Sequence, residues 1–293
     1  MSMPVPKPGL LIVQWLAPPD ICPNPVIPLR DNIPSRHLPV VNYLLILCAC
    51  ATFLLQVLDP NDSLIFRFSL IPARLQQPGR PLVIENLREI QTPFGIQQLR
   101  TRLEIPPSPF PVWATLCSCI FLHGSLLHLV GNIWFLWIFG DNVEDRLGHL
   151  PYLCFYLACG SFASLCHYAA DPASTVPTIG ASGAVAAVMG AYLFLYPHAN
   201  VISLVPIVFF LHLMVIPAPV FLGIWFLIQL FQGSFAAGAG EAGGVAWWAH
   251  IGGFLAGLFI ALLLGKIGQT STRVTVTRPG TDRHFRRMSS PWD

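Results

Sequence analysis

Apolar residues in this chain fall in long runs, separated by short polar or proline-bearing joints. About 20 residues cross the hydrocarbon core of a bilayer as a helix, and the runs approach that length. Val40 to Leu58 (VVNYLLILCACATFLLQVL) is the first. Leu116 to Gly140 is the second, interrupted by His123, His128 and Asn132, and Asp141–Arg146 reads as a short charged turn after it. Tyr152 to Ala170 is the third, Asp171–Thr178 a turn with two prolines, Ala181 to Tyr196 the fourth, and Trp247 to Leu264 the last. Between the last two lies Val201 to Gln232, whose pattern alone fits either one span or two.

The segments outside the runs differ in character. Residues 1–39 are rich in proline and read as a loosely ordered, exposed tail without a cleavable signal peptide. Residues 59–111 form a long polar loop with six arginines, its Phe66–Leu70 and Pro107–Pro111 pieces suited to the membrane interface. Residues 266–293 are a basic tail. Domain organisation is thus tail (1–39), membrane domain (40–265), tail (266–293).

Composition narrows the class. Only 10% of the 293 residues are charged and 54% are hydrophobic, against about 25% charged in soluble domains. Between Asp171 and Lys266 the only acidic or basic residue is Glu241. Such a stretch is stable in lipid or wholly inside protein. The net charge of +2 is small and scattered, with no basic stripe for nucleic acid. Most of the eight cysteines lie in or beside apolar runs, where they act as small hydrophobes. Neither a disulfide framework nor a zinc site is expected, nor any other metal or cofactor.

Polar groups within membrane spans are costly and point to function. Ser182 lies in Gly180-Ala181-Ser182-Gly183-Ala184 and is a nucleophile only beside a base. The candidate base is His250, in Trp247-Trp248-Ala249-His250. Ser182, Ala186 and Gly190 share one helix face, and Gly253 and Gly257 share the face of His250. Two small-residue faces let backbones meet closely, as a Ser–His hydrogen bond requires. His128 and Asn132, four residues apart, can both donate toward an anionic oxygen. No carboxylate is expected inside the spans as a third member. Other readings of the same residues are helix packing, interfacial anchoring, or a histidine-lined metal or proton path.

The chemistry settles the ambiguous stretch. Ser182 and His250 each open a helix, so a single span between them brings both to the same membrane face. Two spans would separate them by roughly 30 Å. Pro219 to Gln232 is therefore the core of span five, and Val201 to Pro217 a proline-broken approach at the interface. Six spans place both termini on one side. The six basic residues from Lys266 make that side cytoplasmic by the positive-inside rule, so Ser182, His250 and the first loop face outward.

Together these stretches resemble the rhomboid family of intramembrane serine proteases. His128 and Asn132 match its His-x-x-x-Asn element. Gly180, Ser182 and Gly183 match Gly-x-Ser-Gly, while Ala249, His250, Gly253 and Gly257 match Ala-His-x-x-Gly-x-x-x-Gly. Two positions depart: Ala114 follows Trp113 where many members have Trp-Arg, and Ala186 stands where many have an aromatic packed on the histidine. The resemblance implies an all-α polytopic bundle of six transmembrane helices, with Ser182 as nucleophile and His250 as general base. It also implies an oxyanion held by His128, Asn132 and the Ser182 N–H, with Gly180, Gly183, Gly253 and Gly257 as packing glycines. Substrates would be membrane-spanning proteins, usually single-pass, and the location a bacterial plasma membrane. A relative that binds transmembrane helices without cutting them, and a histidine-lined transporter, are the alternatives.

Overall fold

The computed structural model of the chain describes residues 26–92, 95–108, 110–207, 210–239 and 245–270. Six apolar helices carry it: α1 (Val40–Leu58), α2 (Leu126–Leu147), α3 (His149–Ala170), α4 (Ser182–Leu195), α5 (Ala218–Ala239) and α6 (Trp247–Thr270). All but α4 are long and apolar enough to cross a membrane. Large apolar side chains such as Leu47, Leu54, Leu127, Phe231 and Phe259 point outward, a surface suited to lipid rather than water. This is a mostly helical polytopic membrane bundle.

The fourth helix has 14 residues and is about 21 Å long. Every residue except Ser182, Leu193 and Phe194 is buried, so it lies at the centre of the bundle. Its contact with α6 is made backbone to backbone. A Cβ on Gly253 would stand 2.0 Å from the Gly183 carbonyl oxygen, and one on Gly257 1.9 Å from that of Ala187. A Cβ on Gly190 would stand 2.0 Å from the Phe254 oxygen. Of the expected Ser182, Ala186 and Gly190 stripe, Gly190 does meet α6; the other α4 residues in the contact are Gly183 and Ala187, one position round from Ser182 and Ala186.

The second span departs from expectation at both ends. Residues 112–121 form a separate short helical piece, and α2 starts only at Leu126, capped by Ser125 Oγ, which accepts the His128 N–H at 3.1 Å. A serine at that position satisfies one orphan amide of the first turn. At the other end Asp141–Arg146 is not a turn but the last turns of α2, which stops at Gly148 with φ +85. The reason is Glu144, 1% exposed. Its carboxylate accepts the Val41 N–H at 2.9 Å and the Asn42 N–H at 2.7 Å, closing the open amides at the start of α1. Carboxylates therefore do occur within a span, at the end remote from His128.

Strands replace two expected irregular pieces. Val201–Pro217 is largely a hairpin, β4 (Asn200–Ile207) and β5 (Phe210–Pro217), and Ile27–Asp31 joins it as β1 in the antiparallel order β1-β4-β5. Residues 27–31 are thus structured. Within the expected N-terminal tail, residues 1–25 lie outside the described residues, as does the basic tail from 271. Asp31 fastens the sheet to the bundle through Asn142 Nδ2 at 2.9 Å and the Tyr192 hydroxyl; burial raises its carboxyl above the usual range. The first loop holds the short helices Ser63–Phe68 and Pro72–Gln76 and the hairpin β2 (Leu82–Thr92) with β3 (Gly95–Ile105). It reaches the approach to α4, where Leu70 and Thr178 exchange both backbone hydrogen bonds, at 3.1 and 2.7 Å.

Candidate active site

Ser182 is the first residue of α4 and His250 lies in the first turn of α6. The close approach of these two helices brings His250 Nε2 to 2.8 Å from Ser182 Oγ. A serine hydroxyl in that contact donates to the ring nitrogen, the arrangement by which a base can take its proton.

The chain entering α4 is fixed by a glycine. Gly180 has φ +126, a conformation costly for residues with a Cβ. Its N–H donates to the Cys119 oxygen at 3.0 Å. A Cβ at this position would stand 2.7 Å from His128 Cε1 and Nε2, and 3.8 Å from Ser182 Oγ. Gly180 therefore abuts His128, whereas Gly183, Gly253 and Gly257 occupy the α4–α6 contact.

His128, in the first turn of α2, has its Nε2 edge toward Gly180 and its Nδ1 facing the Gly124 N–H at 3.5 Å. With Nδ1 as acceptor, the ring proton sits on Nε2, the edge beside Gly180. Asn132, buried one turn on, spends one amide hydrogen on the His128 carbonyl at 3.0 Å and keeps the other. His123 packs edge-on to His128, with ring centroids 5.3 Å apart. The loop carrying His123 is clamped from α1, where Gln56 accepts the His123 N–H and donates to its carbonyl, each at 3.0 Å.

His250 has neighbours that the sequence reading did not single out. Gln229 of α5, 7% exposed, places Oε1 at 2.7 Å from His250 Nδ1. Trp225 and Trp247 set ring centroids 6.0 Å from the imidazole. With Ala186 four residues after the serine, aromatic support comes from α5 and from α6 itself. The available signal was an amide inside an apolar run, Ile228-Gln229-Leu230, the same rule that drew attention to Asn132. Among the described residues, no three His, Cys, Asp or Glu side chains converge as a metal site.

Residues 111–267 match the Rhomboid domain family. The chain is 30% identical over 151 residues to Rhomboid protein 1, mitochondrial, of Saccharomyces cerevisiae, covering 50% of this chain and 40% of that protein. It is 30% identical over 153 residues to Rhomboid protease GluP of Bacillus subtilis, covering 52% of this chain and 26% of the relative. Rhomboid-like protein 11, chloroplastic, of Arabidopsis thaliana is 38% identical over 76 residues, 26% of this chain and 27% of the relative. The match thus spans well under half the length of each of these relatives.

Proposed function

Because the chain belongs to the rhomboid family, we propose that it is an intramembrane serine protease, cutting peptide bonds in or near the membrane-spanning segments of other membrane proteins. The observation that carries this reading is the 2.8 Å contact between Ser182 Oγ and His250 Nε2. Ser182 Oγ adds to the carbonyl carbon of the scissile bond while His250 takes its proton. The developing oxyanion is held by His128 Nε2–H, the free amide hydrogen of Asn132 and the Ser182 backbone N–H. Collapse expels the amine, which receives the proton from His250, and leaves an acyl group on Ser182. Water then adds to that ester with His250 again as base, releasing the acid and restoring the hydroxyl.

A protein that only binds helices has no chemical use for a hydrogen-bonded serine and histidine. The discriminating experiment is labelling with a fluorophosphonate, which reacts with an activated serine. Ser182 should carry the label in the parent protein, and His250→Ala should lose most of it. Absence of labelling in a folded parent that also fails to cut transmembrane substrates would favour the binding role.

The oxyanion assignment has its own test. Losing one donor of such a site typically costs about 10²–10³ in turnover. His128→Ala and Asn132→Ala should each slow cleavage toward that range while the protein still folds, with His128→Ala the larger because Asn132 has already committed one hydrogen. Parental rates in both single variants and in the double variant would remove these roles.

The membrane orientation follows the positive-inside rule: both tails in the cytoplasm of a bacterial cell, the first loop and the site outside. Reporter fusions after residues 175 and 240 should then both report the outer side, and one at residue 270 the cytoplasm. Opposite reports from the first two would contradict a shared site.

A further inference from the structure

The His250 ring makes two hydrogen bonds, and only one of them belongs to the nucleophile. We propose that Gln229 is a positioning residue, holding His250 in the tautomer that can accept the Ser182 proton; this rests on the protease reading above. A neutral imidazole has one N–H and one bare nitrogen. For Nε2 to receive the serine proton it must be bare, which puts the ring hydrogen on Nδ1. In a site lined by membrane helices, an N–H without an acceptor is costly. Gln229 Oε1, at 2.7 Å from Nδ1, is that acceptor. The opposite orientation of the amide would donate to Nδ1, forcing the hydrogen onto Nε2 and leaving Ser182 without a base. The chemistry therefore requires the orientation observed.

The support is rigid. Trp225 and Gln229 lie four residues apart on one face of α5, and both reach His250. Phe226 stacks on Phe254 of α6 with centroids 4.7 Å apart, pinning α5 beside the helix that carries His250. Gln229 is uncharged, so unlike an aspartate in this position it orients the ring without strongly stabilising the imidazolium. Titratable groups on the neighbouring helices include His128 of α2 and His167 of α3.

Two variants and one control test the proposal, using the full-length protein and a transmembrane substrate. Gln229→Leu keeps the volume and removes the acceptor. It should lower kcat about 10- to 100-fold with KM little changed, and slow fluorophosphonate labelling in parallel. Gln229→Glu restores an acceptor and adds a charge that favours the imidazolium. It should recover most of the activity at high pH and move the acid limb of the pH–rate profile to higher pH. A merely structural role would not move that limb. Parental kcat in Gln229→Leu, or a Gln229→Glu profile whose acid limb stays in place, would overturn the proposal. Ser182→Ala, run alongside, should be inactive; were it active, the protease reading itself would fall, separately from the role of Gln229.

Discussion

Ser182→Ala, His250→Ala and the double variant are expected to share one residual cleavage rate, roughly 10⁴–10⁶-fold below the parent. The serine is a weak nucleophile unless a base takes its proton in the step that forms the new bond. The base, in turn, has nothing to act on once the serine is gone. Groups that share one chemical step lose their effect together, so the penalties are strongly non-additive. The 2.8 Å contact is the structural counterpart of that coupling. The rate of the parent should also fall at low pH, as the imidazole takes up a proton and ceases to be a base. Cleavage by Ser182→Ala near the parental rate would end the serine mechanism, and fully additive losses would separate the two residues into different steps.

The membrane spans were legible because lipid imposes a one-dimensional rule on the sequence. Twenty or so apolar residues in a row need no partner elsewhere in the chain to be recognised. The Ser182–His250 pairing was legible for a related reason: both residues open a helix, and span parity fixes which face each end occupies. What escaped the sequence depends on distant partners. Asp141–Arg146 looks like a solvated turn until Glu144 is seen against the first amides of α1, 102 and 103 residues away. Val201–Pro217 is an apolar run of the length at which helix, strand and interfacial loop look alike. Its β partner is the five-residue Ile27–Asp31, hidden in a proline-rich segment. Gln229 escaped because an amide carries no charge to draw the eye, although the cost of burying one in lipid is itself a signal.

The close contact between α4 and α6 ties that fold to the chemistry, and a single methyl group should show it. Gly253→Ala is expected to lower cleavage about 100-fold, the typical cost of a 1 Å misplacement at a reacting centre. The added Cβ would stand 2.0 Å from the Gly183 oxygen, where carbon and oxygen normally keep about 3.3 Å or more. The obstacle is backbone, so no side chain can swing away, and the helices must part by roughly 1 Å. Gly183 adjoins Ser182 and Gly253 lies one turn after His250, so the gap opens beside the reacting pair. Starting from 2.8 Å, such a shift takes the contact past hydrogen-bonding range. The stability loss should be smaller in proportion, about 1–3 kcal/mol, as for other overpacked sites. Gly131→Ala supplies the control: on α2 its Cβ would meet nothing within 4 Å, so rate and melting temperature in detergent should stay close to parental. Gly252→Ala should also cost activity, because its Cβ would stand 2.6 Å from Cys166 Sγ, which can rotate away, but also 2.7 Å from Cys166 Cβ, which cannot. If Gly253→Ala cuts a transmembrane substrate as fast as Gly131→Ala does, the helix contact does not set the distance between nucleophile and base.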